Sequence, residues 1–293
     1  MPANACRKLV SDPHMSDPLI PDPQLIETVI ALHCSGSGAG QWRALAEALA
    51  PQAALVAPEQ YGTVSAGPWP GTKAFSLADE AQHIIGLLDA AAQPVHLVGH
   101  SYGGGVALHA ALARPHAVAS LSLYEPSAFY LLRAAGPAAA KELAEIEGIV
   151  DDVREGIATG NYDAAMRSFI DYWCGLGAWQ GMKPNLKDAL LRWSPKALLD
   201  FHALLEEPVA DDDFARLEMP VLLMVGEHAP ASTRKVAELL YPRLQNLRCV
   251  QIKRAGHMGP ITHAEPVNHA VVRHVHATSS VTAFPASILR YDD

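Results

Sequence analysis

A serine with glycines two positions to either side, Gly99-His100-Ser101-Tyr102-Gly103, has the clearest chemistry in this 293-residue chain. A serine hydroxyl is a weak nucleophile until a base takes its proton. It also needs donors waiting for the negative charge that develops on the attacked oxygen. The segment lies between an apolar run, Val95 to Val98, and a helix-forming run, Val106 to Leu112. A strand-to-helix turn that tight strains the serine backbone and lifts its hydroxyl above the turn. The crowding demands neighbours without Cβ atoms, which Gly99 and Gly103 supply. The start of a helix behind Ser101 also favours developing negative charge. The segment reads as a nucleophile elbow.

The elements that must position such a turn are legible around it. Leu25 to Leu32 is strand-like and runs into His33 and a small-residue loop, Cys34 to Gly38. Trp42 to Leu49 reads as a helix and Ala53 to Ala57 as a short strand. Ser76 with Asp79 predicts a capping box for a helix whose Leu77, Ala81, Ile84, Ile85 and Leu88 share one face. Val95 to Val98 and Val118 to Tyr124 are the clearest buried strands. Strands alternating with helices mean crossover connections, hence a mostly parallel central sheet covered by helices on both faces.

From Ser127 to about Phe214 strand signals vanish. Leu143, Ile146, Val150 and Val153 keep helical spacing, as do Met166, Phe169, Ile170 and Trp173. Ser194-Pro195 reads as the start of another helix carrying Leu198, Phe201, Leu204 and Leu205. Alternation then resumes with strands at Val221 to Val225 and Leu247 to Ile252, and helices at Ser232 to Leu240 and Thr262 to His276. The expected organisation is a flexible lead over 1–24, an α/β core over 25–126 and 215–277, an all-helical cap over 127–214, and a tail over 278–293.

Glycine-x-serine-x-glycine between a buried strand and a helix, in a chain of this alternation, resembles the α/β-hydrolase family over about residues 25 to 276. The resemblance implies an eight-stranded, mostly parallel sheet with a cap inserted after the sixth strand. It implies oxyanion donors at two backbone amides: Tyr102, next to the nucleophile, and Ser35, in His33-Cys34-Ser35 where the family carries His-Gly-x. It also implies the chain order serine, acid, histidine. His257, in Ala255-Gly256-His257-Met258-Gly259-Pro260 after the last strand, is then the general base. His263, His269, His274 and His276 fall on the helix beyond it and read as surface or packing residues.

The acid departs from the family pattern. Where glycine-x-x-aspartate is usual, this chain has Gly226-Glu227-His228-Ala229. Glu125, at the end of the Val118 to Tyr124 strand, is the expected acid that orients His257; Glu227, which would need a shifted loop, and the absence of any effective acid are the alternatives. Strands about 4.8 Å apart put either carboxylate within side-chain range.

Composition narrows the function. A hydrophobic fraction of 49% with 18% charged residues excludes disorder as the main state. The net charge of −9 argues against nucleic acid or an anionic membrane as partner. Residues 127 to 213 hold 8 basic and 15 acidic residues, a net of −7. Cys6, Cys34, Cys174 and Cys249 are too dispersed for a metal or disulfide framework. No apolar run approaches the roughly 20 residues of a spanning helix. The prolines between Met1 and Gln24 leave no signal-peptide core, so a cytoplasmic protein is expected. The aromatic residues Phe169, Tyr172, Trp173, Trp179, Trp193 and Phe201 are candidates for an apolar pocket over Ser101. Together these features predict a serine hydrolase of carboxylesterase type, without metal or cofactor, acting on small, largely apolar ester or related acyl substrates. The alternatives are a catalytically silent ligand-binding protein, motivated by Ala229, and an acyltransferase. Oligomeric state is not legible.

Overall fold

Val29, Ile30, Ala31 and Leu32 are four consecutive buried residues in one strand, which only a sheet covered on both faces accommodates. The computed structural model describes residues 26–279. Its strands are β1 (Glu27–Leu32), β2 (Ala53–Val56), β3 (Val95–His100), β4 (Val118–Tyr124), β5 (Val221–Gly226) and β6 (Leu247–Ile252). They form one sheet in the order β2-β1-β3-β4-β5-β6, with every neighbouring pair parallel. Leu32 lies beside Gly99, His100 beside Tyr124, and Tyr124 beside Met224. The central strands therefore finish at a common carboxyl edge, and the loops leaving that edge can meet.

The helices are α1 (Arg43–Leu49), α2 (Leu77–Ala90), α3 (Tyr102–Ala113), α4 (Tyr130–Ala134), α5 (Ala140–Ala158), α6 (Tyr162–Cys174), α7 (Ala178–Gly181), α8 (Pro184–Leu205), α9 (Ala231–Leu240), α10 (Gly259–Thr262) and α11 (Ala264–Thr278). Successive strand residues point to opposite faces. Ile30, Leu32, Leu97, Leu121 and Leu223 join the core under α2, α3 and α9. Val29, Ala31, Val98, Leu222 and Met224 join the core under α1 and α11. The Ser76–Asp79 capping box opens α2 as the sequence predicts. Between β4 and β5 no strand occurs, and α4 to α8 with short 3-10 turns occupy that stretch.

Three expectations are corrected. Among the described residues the sheet has six strands, not eight, and the helical segment follows β4, the fourth of them. Ser194-Pro195 does not start a helix: α8 begins at Pro184, and Pro195 lies inside it. A proline there has no N–H for the carbonyl of Leu191, four residues back. The Ser194 hydroxyl donates to that carbonyl instead, at 2.8 Å, so the helix continues. The single helix expected over Thr262 to His276 is two, α10 and α11, broken at His263. Pro266 has no N–H for the Thr262 carbonyl, and as the third residue of α11 it sits in the first turn, where no intrahelical N–H bond is lost. The lead over 1–24, and the tail beyond Ser279, lie outside the described residues.

Candidate active site

β3 ends at His100 and α3 begins at Tyr102, so Ser101 alone makes the turn. Its backbone stands at φ 54, ψ −118. That conformation costs a residue with a side chain on the order of 1–3 kcal/mol and persists only when its surroundings hold it. Here the Ser101 N–H donates to the Tyr124 carbonyl at 3.0 Å, and the Ser101 carbonyl accepts from Gly105 at 3.1 Å and Ser127 at 3.0 Å. A Cβ on Gly99 would lie 2.5 Å from the Gly103 oxygen, and one on Gly103 would lie 2.5 Å from the His33 oxygen. Both glycines are therefore required by the turn.

The hydroxyl so raised meets the loop after β6. His257 Nε2 is 2.8 Å from Ser101 Oγ, and His257 Nδ1 is 2.7 Å from Glu125 Oε2. A carboxylate only accepts, so the proton sits on Nδ1 and Nε2 is left to accept from the serine. Glu125 is fully buried and holds a positive φ of 41° at the end of β4. Its Oε1 accepts from the Gly226 N–H at 2.9 Å and its Oε2 from the Thr233 hydroxyl at 2.9 Å. Three donors fix this carboxylate, from the end of β5, the first turn of α9 and the loop after β6. From α6 the Trp173 ring packs on the imidazole, with centroids 4.4 Å apart.

Glu227 is elsewhere. It is exposed, and its Oε2 accepts from the Arg254 N–H at 2.7 Å. Arg254 holds φ 59, so Glu227 braces the turn leading to His257 rather than touching the ring. Ala229 is buried where an aspartate is usual in the resemblance, and the carboxylate beside His257 comes from the neighbouring strand end.

The Ser35 and Tyr102 amides both face no hydrogen-bond acceptor among the described residues. Cys34, which replaces the resemblance's glycine, is buried, and burial pushes its thiol up to about 12, so it stays protonated. Ser101, Ser35 and His257 open onto a cavity of about 40 Å³ to water centres. Its apolar wall is Phe129, Phe169, Ile170, Trp173, Phe201 and Leu204. Of the six aromatic candidates, Phe169, Trp173 and Phe201 line it. Trp179 instead donates to Asp163 at 2.9 Å, Tyr172 shares a 2.8 Å hydrogen bond with Ser232, and Trp193 packs behind Phe169 with centroids 5.4 Å apart.

Two buried polar chains around the site went unread in the sequence. In the first, the Cys34 N–H donates to Gln41 Oε1 at 3.2 Å, Gln41 Nε2 meets His100 Nδ1 at 3.1 Å, and His100 Nε2 meets the His257 carbonyl at 2.8 Å. Burial, with His257 beside it, holds His100 well below the usual imidazole range, so it is neutral. It donates through Nε2 and accepts at Nδ1. In the second, Lys196 Nζ on α8 donates to Glu80 Oε2 at 2.8 Å, to Tyr102 Oη at 3.3 Å and to Asp200 Oδ1. Ser35 Oγ donates to Asp200 Oδ2 at 2.6 Å, and Tyr102 Oη to Glu80 Oε2 at 2.7 Å. The side chains of both residues with unspent amides thus end in one buried ionic cluster. The signal was there: Lys196 and Asp200 fall on the apolar stripe of α8 with Trp193, Ala197, Phe201 and Leu204. Among the described residues no three His, Cys, Asp or Glu side chains group as metal ligands would.

Comparison with known proteins identifies the family and the fold. The profile of the alpha/beta hydrolase family matches residues 29–270. A lipase of Mycobacterium tuberculosis, LipV, is 35% identical over 100 residues, which are 34% of this chain and 37% of the lipase. The chain thus spans little more than a third of that relative's length. A pimeloyl-[acyl-carrier protein] methyl ester esterase of Neisseria meningitidis is 28% identical over 214 residues, covering 68% of this chain and 74% of the esterase. The crystal structure of a thermophilic esterase from Thermogutta terrifontis superposes with a TM-score of 0.66 at 20% identity, covering 86% of this chain and 90% of the esterase, and so shares its fold.

Proposed function

The chain belongs to the alpha/beta hydrolase family, and from that premise we propose that it is a serine hydrolase of small, largely apolar esters, working through an acyl-enzyme. The observation that carries the reading is the line from Ser101 Oγ through His257 to Glu125, at 2.8 Å and 2.7 Å. His257 Nε2 takes the Ser101 proton as Oγ attacks the ester carbonyl carbon. Glu125 keeps the proton on Nδ1 and stabilises the imidazolium that forms. The Ser35 and Tyr102 amides hold the oxyanion of the tetrahedral intermediate. Its collapse breaks the bond to the alcohol oxygen, which leaves with the proton from His257. Water, losing its proton to His257, then attacks the acyl-enzyme, and the acid is released as Ser101 regains the proton.

The helices between β4 and β5 act as a cap: α6 sets Trp173 on the imidazole and α8 sets Phe201 and Leu204 on the cavity wall. The narrow, apolar cavity supports short acyl groups. The carboxylate beside His257 counts against a catalytically silent binding protein, whose motive was the alanine at 229. The free Cys34, Cys174 and Cys249 support a cytoplasmic setting. No described helix is long and apolar enough to cross a membrane.

A series of p-nitrophenyl esters of increasing acyl length tests the reading. Turnover greatest for the shortest acyl groups and abolished in Ser101→Ala is expected. Turnover unaffected by Ser101→Ala would refute it, and release to added alcohols exceeding hydrolysis would favour the acyltransferase.

A further inference from the structure

The cavity over Ser101 is walled mostly by apolar side chains, and Asp200 is the one carboxylate-bearing residue among those that line it. Asp200 is 3% exposed, and that remaining surface lines the cavity together with Ser101 and His257. An ionised carboxylate has about four acceptor positions. Two are taken, by the Ser35 hydroxyl at Oδ2 and the Lys196 ammonium at Oδ1. Among the described residues only the Tyr102 hydroxyl also comes near Asp200, and its proton goes to Glu80 at 2.7 Å, so acceptor capacity is left over beside the cavity.

Charge balance does not explain its presence. Lys196 already has a buried counter-ion in Glu80, 2.8 Å away, and Glu80 also accepts from Tyr102 Oη at 2.7 Å and from the Tyr61 N–H at 2.9 Å. With Tyr102 neutral, since burial raises its hydroxyl well above the usual range, the second carboxylate leaves the cluster at net −1. Burying an unbalanced carboxylate is costly. Burial pushes the Asp200 carboxyl up to about 6 against the pull of Lys196 and Ser35. An uncharged residue would seat α8 and hold Ser35 without that cost. The spare acceptors at the cavity are what a carboxylate adds.

We propose that Asp200 is a specificity-determining residue, and that the substrates of this enzyme are esters bearing a hydroxyl or N–H group that donates a hydrogen bond to it. The proposal rests on the serine-hydrolase reading and names the substrate class of that same site. A hydrocarbon group in the donor's place would leave the carboxylate's lone pairs facing methylenes. A site built to bind a donor rejects the analogue lacking it far more strongly than an apolar site rejects an added hydroxyl.

The test compares kcat/KM for matched ester pairs differing by hydroxyl against methyl, in a hydroxyacyl series and in 2-hydroxyethyl against propyl esters. The wild type is expected to prefer the hydroxyl member of at least one pair by tenfold or more. Asp200→Leu should erase that preference, and the isosteric Asp200→Asn should cut it at least fivefold. Because each result is a ratio within one protein, any general loss of activity or folded fraction cancels. A wild type that prefers the methyl member of every pair, or a preference unchanged in both variants, overturns the proposal. Fluorophosphonate labelling of wild-type Ser101 run alongside separates the two layers: a labelled serine without hydroxyl preference sinks only the role of Asp200, whereas an unlabelled one sinks the serine-hydrolase reading beneath it.

Discussion

Glu125 Oε2 lies 2.7 Å from His257 Nδ1, although Glu125 ends β4, the strand beside the one that carries Ser101, and not the next strand, where the family's acid is usual. The displacement costs nothing in reach, because the strand ends share one edge and neighbouring strands are only about 4.8 Å apart. Ala229 offers no carboxylate, and the one beside His257 is that of Glu125.

Replacing Glu125 by Gln keeps the shape but removes the charge and frees Nδ1 from its acceptor-only partner. A fall in kcat of about 10²–10⁴ is expected, since the wrong tautomer and an unsupported imidazolium follow. Glu227→Gln should leave kcat within about threefold, because its partner is the Arg254 amide. Steady-state kinetics on a short p-nitrophenyl ester distinguishes the two, and the reverse ranking would move the acid to Glu227.

Gln41 joins the loop after β1 to the loop after β6 through His100. Gln41→Ala leaves the Cys34 N–H and His100 Nδ1 without the partner they have here, at a cost of about 1–3 kcal/mol in stability. Loosening both loops should lower kcat by up to about 10²-fold with little change in KM. Urea denaturation alongside kinetics checks it, and a variant equal to wild type in both would show that the chain of hydrogen bonds positions nothing.

Most of the architecture was legible because its signals are local. Buried parallel strands are continuous apolar runs, the Ser76–Asp79 cap is a spacing of three, and Gly99 and Gly103 flag a turn that nothing larger fits. Ser101 and His257 followed from motif and order. Choosing between Glu125 and Glu227 needed the third dimension, because both are glutamates at strand ends and only the path of the loops decides which one meets the imidazole. Pro195 misled for a different reason: Ser194 supplies the missing bond to Leu191, a repair that propensity does not register. The Lys196–Asp200 pair was visible as charge on an apolar stripe, but its partners Glu80 and Ser35 lie 116 and 165 residues away in sequence.

The raised Asp200 carboxyl has a consequence for stability. Between about pH 4 and pH 6 the folded protein holds a proton on Asp200 that the unfolded chain has released, so this group's contribution to stability falls as pH rises through that window. Lys196 from its own helix, Glu80 from α2, Tyr102 from α3, and Cys34 and Ser35 from the loop after β1 are the groups facing it. Relative to wild type, Asp200→Asn should therefore gain about 3 kcal/mol between about pH 4 and pH 7. Urea midpoints of both proteins across that range measure the difference. A difference independent of pH would mean that Asp200 ionises as an exposed carboxylate does.

The central claim is that Ser101 is a nucleophile activated by His257 and oriented by Glu125. Fluorophosphonate labelling followed by peptide mass mapping tests it most directly. One adduct per folded chain, on Ser101, absent in Ser101→Ala, greatly slowed in Glu125→Gln and unchanged in Glu227→Gln, is the predicted result. A folded wild-type protein left without an adduct on Ser101 would contradict it.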